Sequence, residues 1–407
     1  MNEATLQYVR QHADDDVRQL ALRGSKHPDV DLAAALQQIA GRQTARKKLP
    51  SWAALDDILY PPHLNMEQCS SEQTARYKAS LCRTLLQKHK ETTSLIDLTG
   101  GFGVDFAWMS EAFSEGTYIE RNSELFAVAT NNFRVLQREV EARNVDAIDY
   151  LHQVEHATMI FLDPARRDEH GARTYGIADC TPDVLQLRDE LLRKADYVLL
   201  KLSPMLDWRK TVADLGEQWV REVHIVSVGG ECKELLLLLS MQGTSFRLCC
   251  VNDHEVFEVN ESTTVSDSSS VDEAHLVVGS VDEAHLVVGS YLYEPNASVM
   301  KAGCFAELSA RFSVCQLAQN SHLFVSDRFE ADFPGRKFRV VAVSSMNKRE
   351  LKETIAPLGR ANITVRNFPL SVAELRRRLK LSEGGSHYIF ATTLAHGNRV
   401  LIVCQHC

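Results

Sequence analysis

The sequence predicts an α/β protein built on a doubly wound, Rossmann-like parallel sheet, and three observations carry that prediction. Between residue 94 and about residue 251, short apolar runs (94–98, 117–120, 158–162, 197–202, 223–228 and 234–241) alternate with helical segments. That is the pattern of βαβ units whose strands are buried on both faces. The first run ends in Asp97-Leu98-Thr99-Gly100-Gly101-Phe102-Gly103, and glycines at a strand-to-helix turn let backbone approach a ligand closely. Finally, 407 residues with 44% apolar and 24% charged side chains have the composition of a folded globular chain, long enough for two or three domains at roughly 150 residues each.

Composition also excludes classes. No apolar run reaches the roughly 18 residues that a bilayer span needs; residues 235–239 read as a buried strand. The amino terminus has no basic stretch followed by an apolar one, so a cytoplasmic location is expected. Ten cysteines scattered through apolar segments suit reduced, buried thiols. Cys404 and Cys407 form a lone CxxC without the second pair a structural zinc site requires, so no metal is expected.

Residues 1–90 read as a helical region, with helical spacing in Leu6-Tyr8-Val9 and Val17-Leu20-Leu22, then Val30, Leu32 and Leu36. Pro50, Pro61 and Pro62 break it, and Ser70-Ser71-Glu72-Gln73 opens a further helix. Residues 91–252 form the doubly wound domain. Residues 253–335 form a small acidic α/β domain that contains a decapeptide, 271–280, repeated residue for residue at 281–290. Residues 336–407 read as an α+β module: strand 337–344, helix 347–357, strand 361–366, helix 371–380, and strands 387–393 and 399–404. Capping boxes at Asn347/Glu350 and Ser371/Glu374 start its helices.

The net charge is −9, but it is segregated. Residues 248–300 hold ten acidic and no basic side chains, whereas 336–407 hold thirteen Lys or Arg against four Glu, a local +9. Such asymmetry marks a partner-facing basic module on a neutral or acidic body. Arg376, Arg377 and Arg378 lie in a helix whose apolar positions are Val372, Leu375 and Leu379, so their guanidinium groups should project from the packed face toward phosphate.

Acids recur at strand ends. Glu120 follows the second strand, where a carboxylate can accept both hydrogen bonds of a ribose diol. Asp146 is expected to follow a short apolar strand, where it could accept from an adenine amino group. Asp163 ends the fourth strand in Asp163-Pro164-Ala165-Arg166-Arg167. The glycine turn lacks both the G-x-G-x-x-G fingerprint and the G-K-[ST] of triphosphate-binding loops.

In this order and spacing the chain resembles class I S-adenosylmethionine-dependent methyltransferases. Asp97-x-Thr99-x-Gly101-x-Gly103 looks like their motif I, Glu120 like the ribose-binding acid, Asp146 like the adenine-binding acid, and Asp163-Pro164 like motif IV. More narrowly, residues 68–78, Asp163-Pro-Ala-Arg-Arg, Lys201-Leu-Ser-Pro-Met-Leu-Asp207 and Arg366-Asn-Phe-Pro-Leu resemble a bacterial methyltransferase family with a ferredoxin-like domain and a carboxy-terminal THUMP-like domain. The resemblance implies S-adenosylmethionine as cofactor, held by Asp97, Thr99, Gly101, Gly103, Glu120, Asp146 and Asp163. It implies structured RNA as partner; Arg166 and Arg167 and, independently of the resemblance, Arg376, Arg377 and Arg378 of the basic module are the candidates to meet it.

Neither Asp163-Pro-Ala-Arg nor Leu202-Ser203-Pro204 supplies a cysteine, which disfavours carbon-5 methylation through a thiolate adduct. Amino-nitrogen methyltransferases typically carry D-P-P-[YFW], and Ala165 and Arg166 replace its second proline and aromatic ring. Ribose 2′-O methyltransferases use a Lys-Asp-Lys-Glu set, and Lys78, Asp163, Lys201 and Glu231 follow that order. A base nitrogen and a ribose hydroxyl both stay open as acceptors. A small-molecule or protein substrate, or a catalytically silent RNA-binding protein, are the rival readings.

Overall fold

The computed structural model describes residues 1–24, 28–87, 89, 91–166, 176–260 and 286–407. Arg167 and most of the decapeptide pair lie outside these residues; only residues 286–290 of the second copy are described. The chain forms two compact units. One comprises residues 1–223 and 233–246, the other residues 224–232 and 247–407. Among the described residues no helix is long and apolar enough to cross a membrane, no group of side chains could hold a metal ion, and all ten cysteines are free thiols.

The first unit opens with helices α1 (Glu3–Gln11), α2 (Val17–Arg23) and α3 (Leu32–Lys48). Asn2, Asp16 and Asp31 cap them by accepting from backbone N–H groups of the first turn. Tyr8, Leu20, Ala35 and Ile39 form their shared core, whereas Leu22, assigned by periodicity to the apolar face, is exposed. After α4 (His63–Gln68), Ser71 caps α5 (Glu72–Leu86), its Oγ accepting from Thr74 N at 3.2 Å.

The sheet follows: β1 (Ser94–Asp97), β2 (Glu115–Ile119), β3 (Glu141–Arg143), β4 (Ala157–Leu162), β5 (Ala195–Leu202), β6 (Val220–Val228) and β7 (Glu231–Leu239), with residues 224–232 of the last two counted in the second unit. Helices α6 (Val104–Met109), α7 (Ser123–Val135), α8 (Ala147–Gln153), α9 (Val184–Lys194) and α10 (Trp208–Leu215) alternate with them. The order is β3-β2-β1-β4-β5-β7, with β6 next to β7. The pairings among β3, β2, β1, β4 and β5 are parallel. Strand β4 is buried at every residue, as a central strand covered on both faces should be.

Two expectations are corrected. Strand β3 is not apolar: it is the polar edge segment Glu141-Ala142-Arg143, with both ends exposed. It has a neighbour on only one side, so periodicity leaves no mark on it. Strand β7 runs antiparallel to β5. Only Gly229 and Gly230, both at positive φ, separate β6 from β7, and two residues make a hairpin but cannot carry a parallel crossover. The reversal puts the start of β7 at the same sheet edge as the carboxyl ends of β1, β2, β4 and β5.

The second unit contains the hairpin β8 (Arg247–Asn252) and β9 (Glu255–Asn260). Its mixed sheet is built from β10 (Tyr291–Pro295), β11 (Phe324–Ser326), β12 (Gly335–Ser345), β13 (Asn362–Arg366), β14 (His387–Thr393) and β15 (Arg399–His406), in the order β11-β10-β12-β15-β14-β13. Leu292, Phe338, Val340, Phe390 and Ile402 pack on one face. Ile363, Leu375, Leu379, Ile389, Leu401 and Val403 pack on the other. Helix α11 (Ala297–Ala302) and helix α12 (Phe305–Phe312) follow β10. Helix α13 (Val372–Leu379) carries the Ser371/Glu374 capping box foreseen from the sequence.

Candidate functional site

The β1 turn is shaped by two close approaches. A Cβ at Gly100 would lie 2.1 Å from the Tyr118 ring, and one at Gly103, where φ is +82°, would lie 2.7 Å from Phe133. Both positions therefore admit only glycine, and the turn is pressed between β2 and α7. Tyr118 OH donates to Gly101 O at 2.5 Å. Gly101 N donates to Glu120 Oε2 at 2.8 Å, and Asn122 N donates to Glu120 Oε1 at 2.7 Å. Thr99 joins the two central strands, because its N donates to Asp97 Oδ1 at 3.0 Å and its Oγ1 accepts from Asp163 N at 2.6 Å.

These strand ends open into a cleft of about 950 Å³. Asp97, Thr99, Gly101, Gly103, Glu120 and Asp146 all line it, together with Asp163 and Lys201. Asp146 caps α8 through Oδ1, which accepts from Ile148 N at 2.8 Å. Asp97 is 1% exposed. Burial pushes its carboxyl well above the usual range, and Asp105, Asp163 and Glu120 push in the same direction.

At the cleft floor lies a buried ionic chain. Lys201 Nζ is 2.5 Å from Asp163 Oδ2 and 3.3 Å from Asp105 Oδ2. Asp105 Oδ1 is 3.1 Å from Lys78 Nζ, which also donates to both Glu234 oxygens at 2.6 and 2.7 Å and to Ser70 Oγ at 3.2 Å. Ser70 Oγ donates to Asp105 Oδ2 at 2.8 Å. Burial alone would neutralise Lys201, but Asp163, Asp105 and Glu234 outweigh it and hold the amine's pKa well above its ordinary value. Asp105 faces the same burial, and the Lys78 and Lys201 ammonium groups hold its carboxyl below the usual range.

Of the four residues in the Lys-Asp-Lys-Glu expectation, the structure joins Lys78, Asp163 and Lys201 in this chain, and Glu234 instead of Glu231 meets Lys78. Glu231 is exposed at the start of β7 and belongs to the second unit; three residues along a strand is an odd step, so the two glutamates face opposite sides. Lys78 is fully buried and lies behind the cleft. Asp105 and Ser70 were not assigned from the sequence either. Glu234 carries a readable signal, since an acid opening the run Leu235-Leu236-Leu237-Leu238-Leu239 in a core strand must find a buried cation.

The basic positions divide. Arg166 pairs through its backbone with Cys180, and Arg167 lies outside the described residues. Arg377 and Arg378 are exposed. Arg376 does not project outward as expected: it turns back and donates from Nη1 to Ala361 O at 3.2 Å, because it sits beside Leu375 at the edge of the packed face.

Strand order, turn and cleft define a class I methyltransferase fold. The structure of a candidate methyltransferase from Porphyromonas gingivalis W83 matches 99% of this chain and 98% of its own, at 32% identity and a TM-score of 0.81. Family models match residues 291–334 as a ferredoxin-like domain and residues 335–406 as a THUMP domain-like region. The chain belongs to this family of class I methyltransferases with ferredoxin-like and THUMP-like domains. Looser matches include an S-adenosylmethionine-dependent methyltransferase from Agrobacterium tumefaciens (15% identity, 43% of this chain and 64% of that one, TM-score 0.33). A candidate RNA methyltransferase from Pyrococcus horikoshii matches at 11% identity (49% and 98%, TM-score 0.36). At those scores neither bears on the site. No curated protein matches the chain.

Proposed function

We propose that this protein transfers the methyl group of S-adenosylmethionine to a ribose 2′-hydroxyl of RNA at the Asp163–Lys201 pair. The cleft chemistry fits the cofactor. Gly100 and Gly103 leave no room for a Cβ, so bare backbone lines the turn; the Glu120 carboxylate suits a ribose diol, and Asp146 suits an exocyclic amine. Asp97 lies beneath the turn, where a cationic amino group would draw its buried carboxyl toward ionisation. When bound, the cofactor supplies a methyl group already activated on a sulfonium.

The observation that carries the acceptor assignment is the charged Lys201 at 2.5 Å from Asp163. A hydroxyl both donates and accepts, so it can give its hydrogen to Asp163 while Lys201 donates to its oxygen. As the O–H ionises the ammonium stabilises the growing negative charge, an interaction stronger in the transition state than in the ground state. A base amine gains positive charge as it is methylated, and a fixed ammonium beside it would oppose the reaction. Lys201 stays protonated, so it acts as an electrostatic partner and Asp163 receives the proton. Asp105 positions Lys201, and Lys78 with Glu234 positions Asp105. The basic 336–407 region and the THUMP domain-like match support RNA as the substrate class.

Tritium transfer from labelled cofactor to fractionated bacterial RNA, followed by nuclease digestion, tests the assignment. The methyl group is expected on ribose. Lys201→Ala is expected to abolish transfer with cofactor affinity kept. A base-methylated product, or a Lys201→Ala enzyme with kcat kept and only KM raised, refutes the hydroxyl assignment.

A further inference from the structure

In the second unit, Glu294 is the penultimate residue of β10, with a side chain only 4% exposed, and two guanidinium groups meet it. Arg336, on β12, donates to Oε2 from Nε at 2.7 Å and from Nη2. Arg366, at the end of β13, donates to Oε1 from Nε at 3.1 Å and from Nη2 at 2.7 Å. Strand alternation puts all three on one sheet face: Glu294 follows Leu292, Arg336 precedes Phe338, and the register pairs Thr364 with Phe390 and Arg366 with Thr392. The Arg336 guanidinium lies 5.5 Å from the Phe338 ring centroid and 6.0 Å from that of Phe390.

One carboxylate neutralises one guanidinium, so the trio keeps a net +1. Each arginine uses its Nε–Nη2 edge on Glu294, and the side chains remain 49% and 34% exposed. The pair is thus anchored from behind, with its geometry set before any ligand arrives. Around it are buried polar atoms without a hydrogen-bond partner among the described residues: Thr392 Oγ1, opposite Arg366, and Asn296 Nδ2, two residues beyond Glu294. His322 Nδ1 is a third. Its ring stacks on Phe305 at 4.6 Å, and burial, then the charge of Arg366, lower its pKa.

We infer that Arg336 and Arg366, held by Glu294, form a fork that grips phosphate of an RNA backbone. The inference rests on the RNA reading above and names where the second unit holds that RNA. Planar guanidinium groups bind phosphate bidentately, pre-anchoring removes most of the ordering cost, and the +9 carried by residues 336–407 attracts a polyanion over any single small anion.

The test uses the full chain and a fluorescein-labelled 16-base-pair RNA hairpin, its affinity followed by anisotropy against KCl concentration, with a thermal melt of every variant. Arg336→Gln/Arg366→Gln is expected to lower affinity at least about tenfold and to reduce the salt slope by about 0.7–0.9, the share of one phosphate no longer neutralised. Arg336→Lys/Arg366→Lys keeps Glu294 neutralised but lacks the fork; it is expected to lose affinity with most of the slope retained, and it decides the matter if the glutamine pair does not fold. Folded variants that bind as tightly as the parent with the same slope overturn the fork and leave the RNA reading standing. A parent chain that binds no RNA overturns both.

Discussion

Lys78 is fully buried, and Glu234, 3% exposed, offers it both oxygens at 2.6 and 2.7 Å. Replacing Glu234 by Leu leaves that ammonium with Asp105 and Ser70 alone, and Asp105 is already shared with Lys201. Removing one partner of a buried ion pair costs about 3–5 kcal/mol, because the remaining charge is desolvated without full compensation. At about 2–4 °C per kcal/mol for a unit of this size, the melting temperature should fall by about 6–20 °C. Lys78→Met with Glu234→Leu removes both charges and fills the space with apolar atoms, an exchange that is often neutral. Asp105 then keeps Ser70 and Lys201. The double variant should therefore recover most of the loss, with a coupling energy of about 2 kcal/mol or more. Tryptophan fluorescence during urea denaturation isolates the event, since Trp52, Trp108, Trp208 and Trp219 all belong to the first unit. If the two single losses simply add in the double variant, or if Glu234→Leu costs less than about 1 kcal/mol, the ionic chain does not hold the floor of the cleft together.

Two further outcomes follow from the cleft. Burial raises the Asp97 carboxyl above its unfolded value, so folding favours the protonated form; its contribution to stability is full below the ordinary carboxyl pKa and is lost as pH rises from there toward the raised value. Asp97→Asn, which keeps the acceptor for Thr99 N, should therefore melt above the parent at pH 8 and lose that advantage near pH 4, and a variant less stable across the whole range would show that Asp97 is ionised in the folded chain. Glu120→Ala should weaken S-adenosylmethionine binding by about 1–3 kcal/mol, roughly 5- to 150-fold, the usual loss for a charge-assisted hydrogen bond. Calorimetry on the folded variant showing unchanged affinity would remove Glu120 from the ribose site.

The sequence by itself determined the parts of this protein governed by local rules. A buried strand followed by a glycine turn places its last acid at a sheet edge, so Asp97, Glu120 and Asp163 could be placed one by one, each within a few residues of its strand. Caps such as Ser71 and Ser371 needed only the next turn of helix, and the charge of 336–407 needed only counting. The ionic floor of the cleft could not be read that way. Glu234 and Lys78 are 156 residues apart, and they meet because the Gly229–Gly230 hairpin reverses β7 and brings its start to the edge where the other strands finish. A parallel β7 would have carried Glu234 to the opposite edge, and the odd step between Glu231 and Glu234 decides which of the two faces Lys78. Likewise Arg336 and Arg366 converge on Glu294 only because strand register puts them on one face of the sheet. Strand direction and register are collective properties of the packed sheet, and they select partners among charges that are interchangeable along the chain.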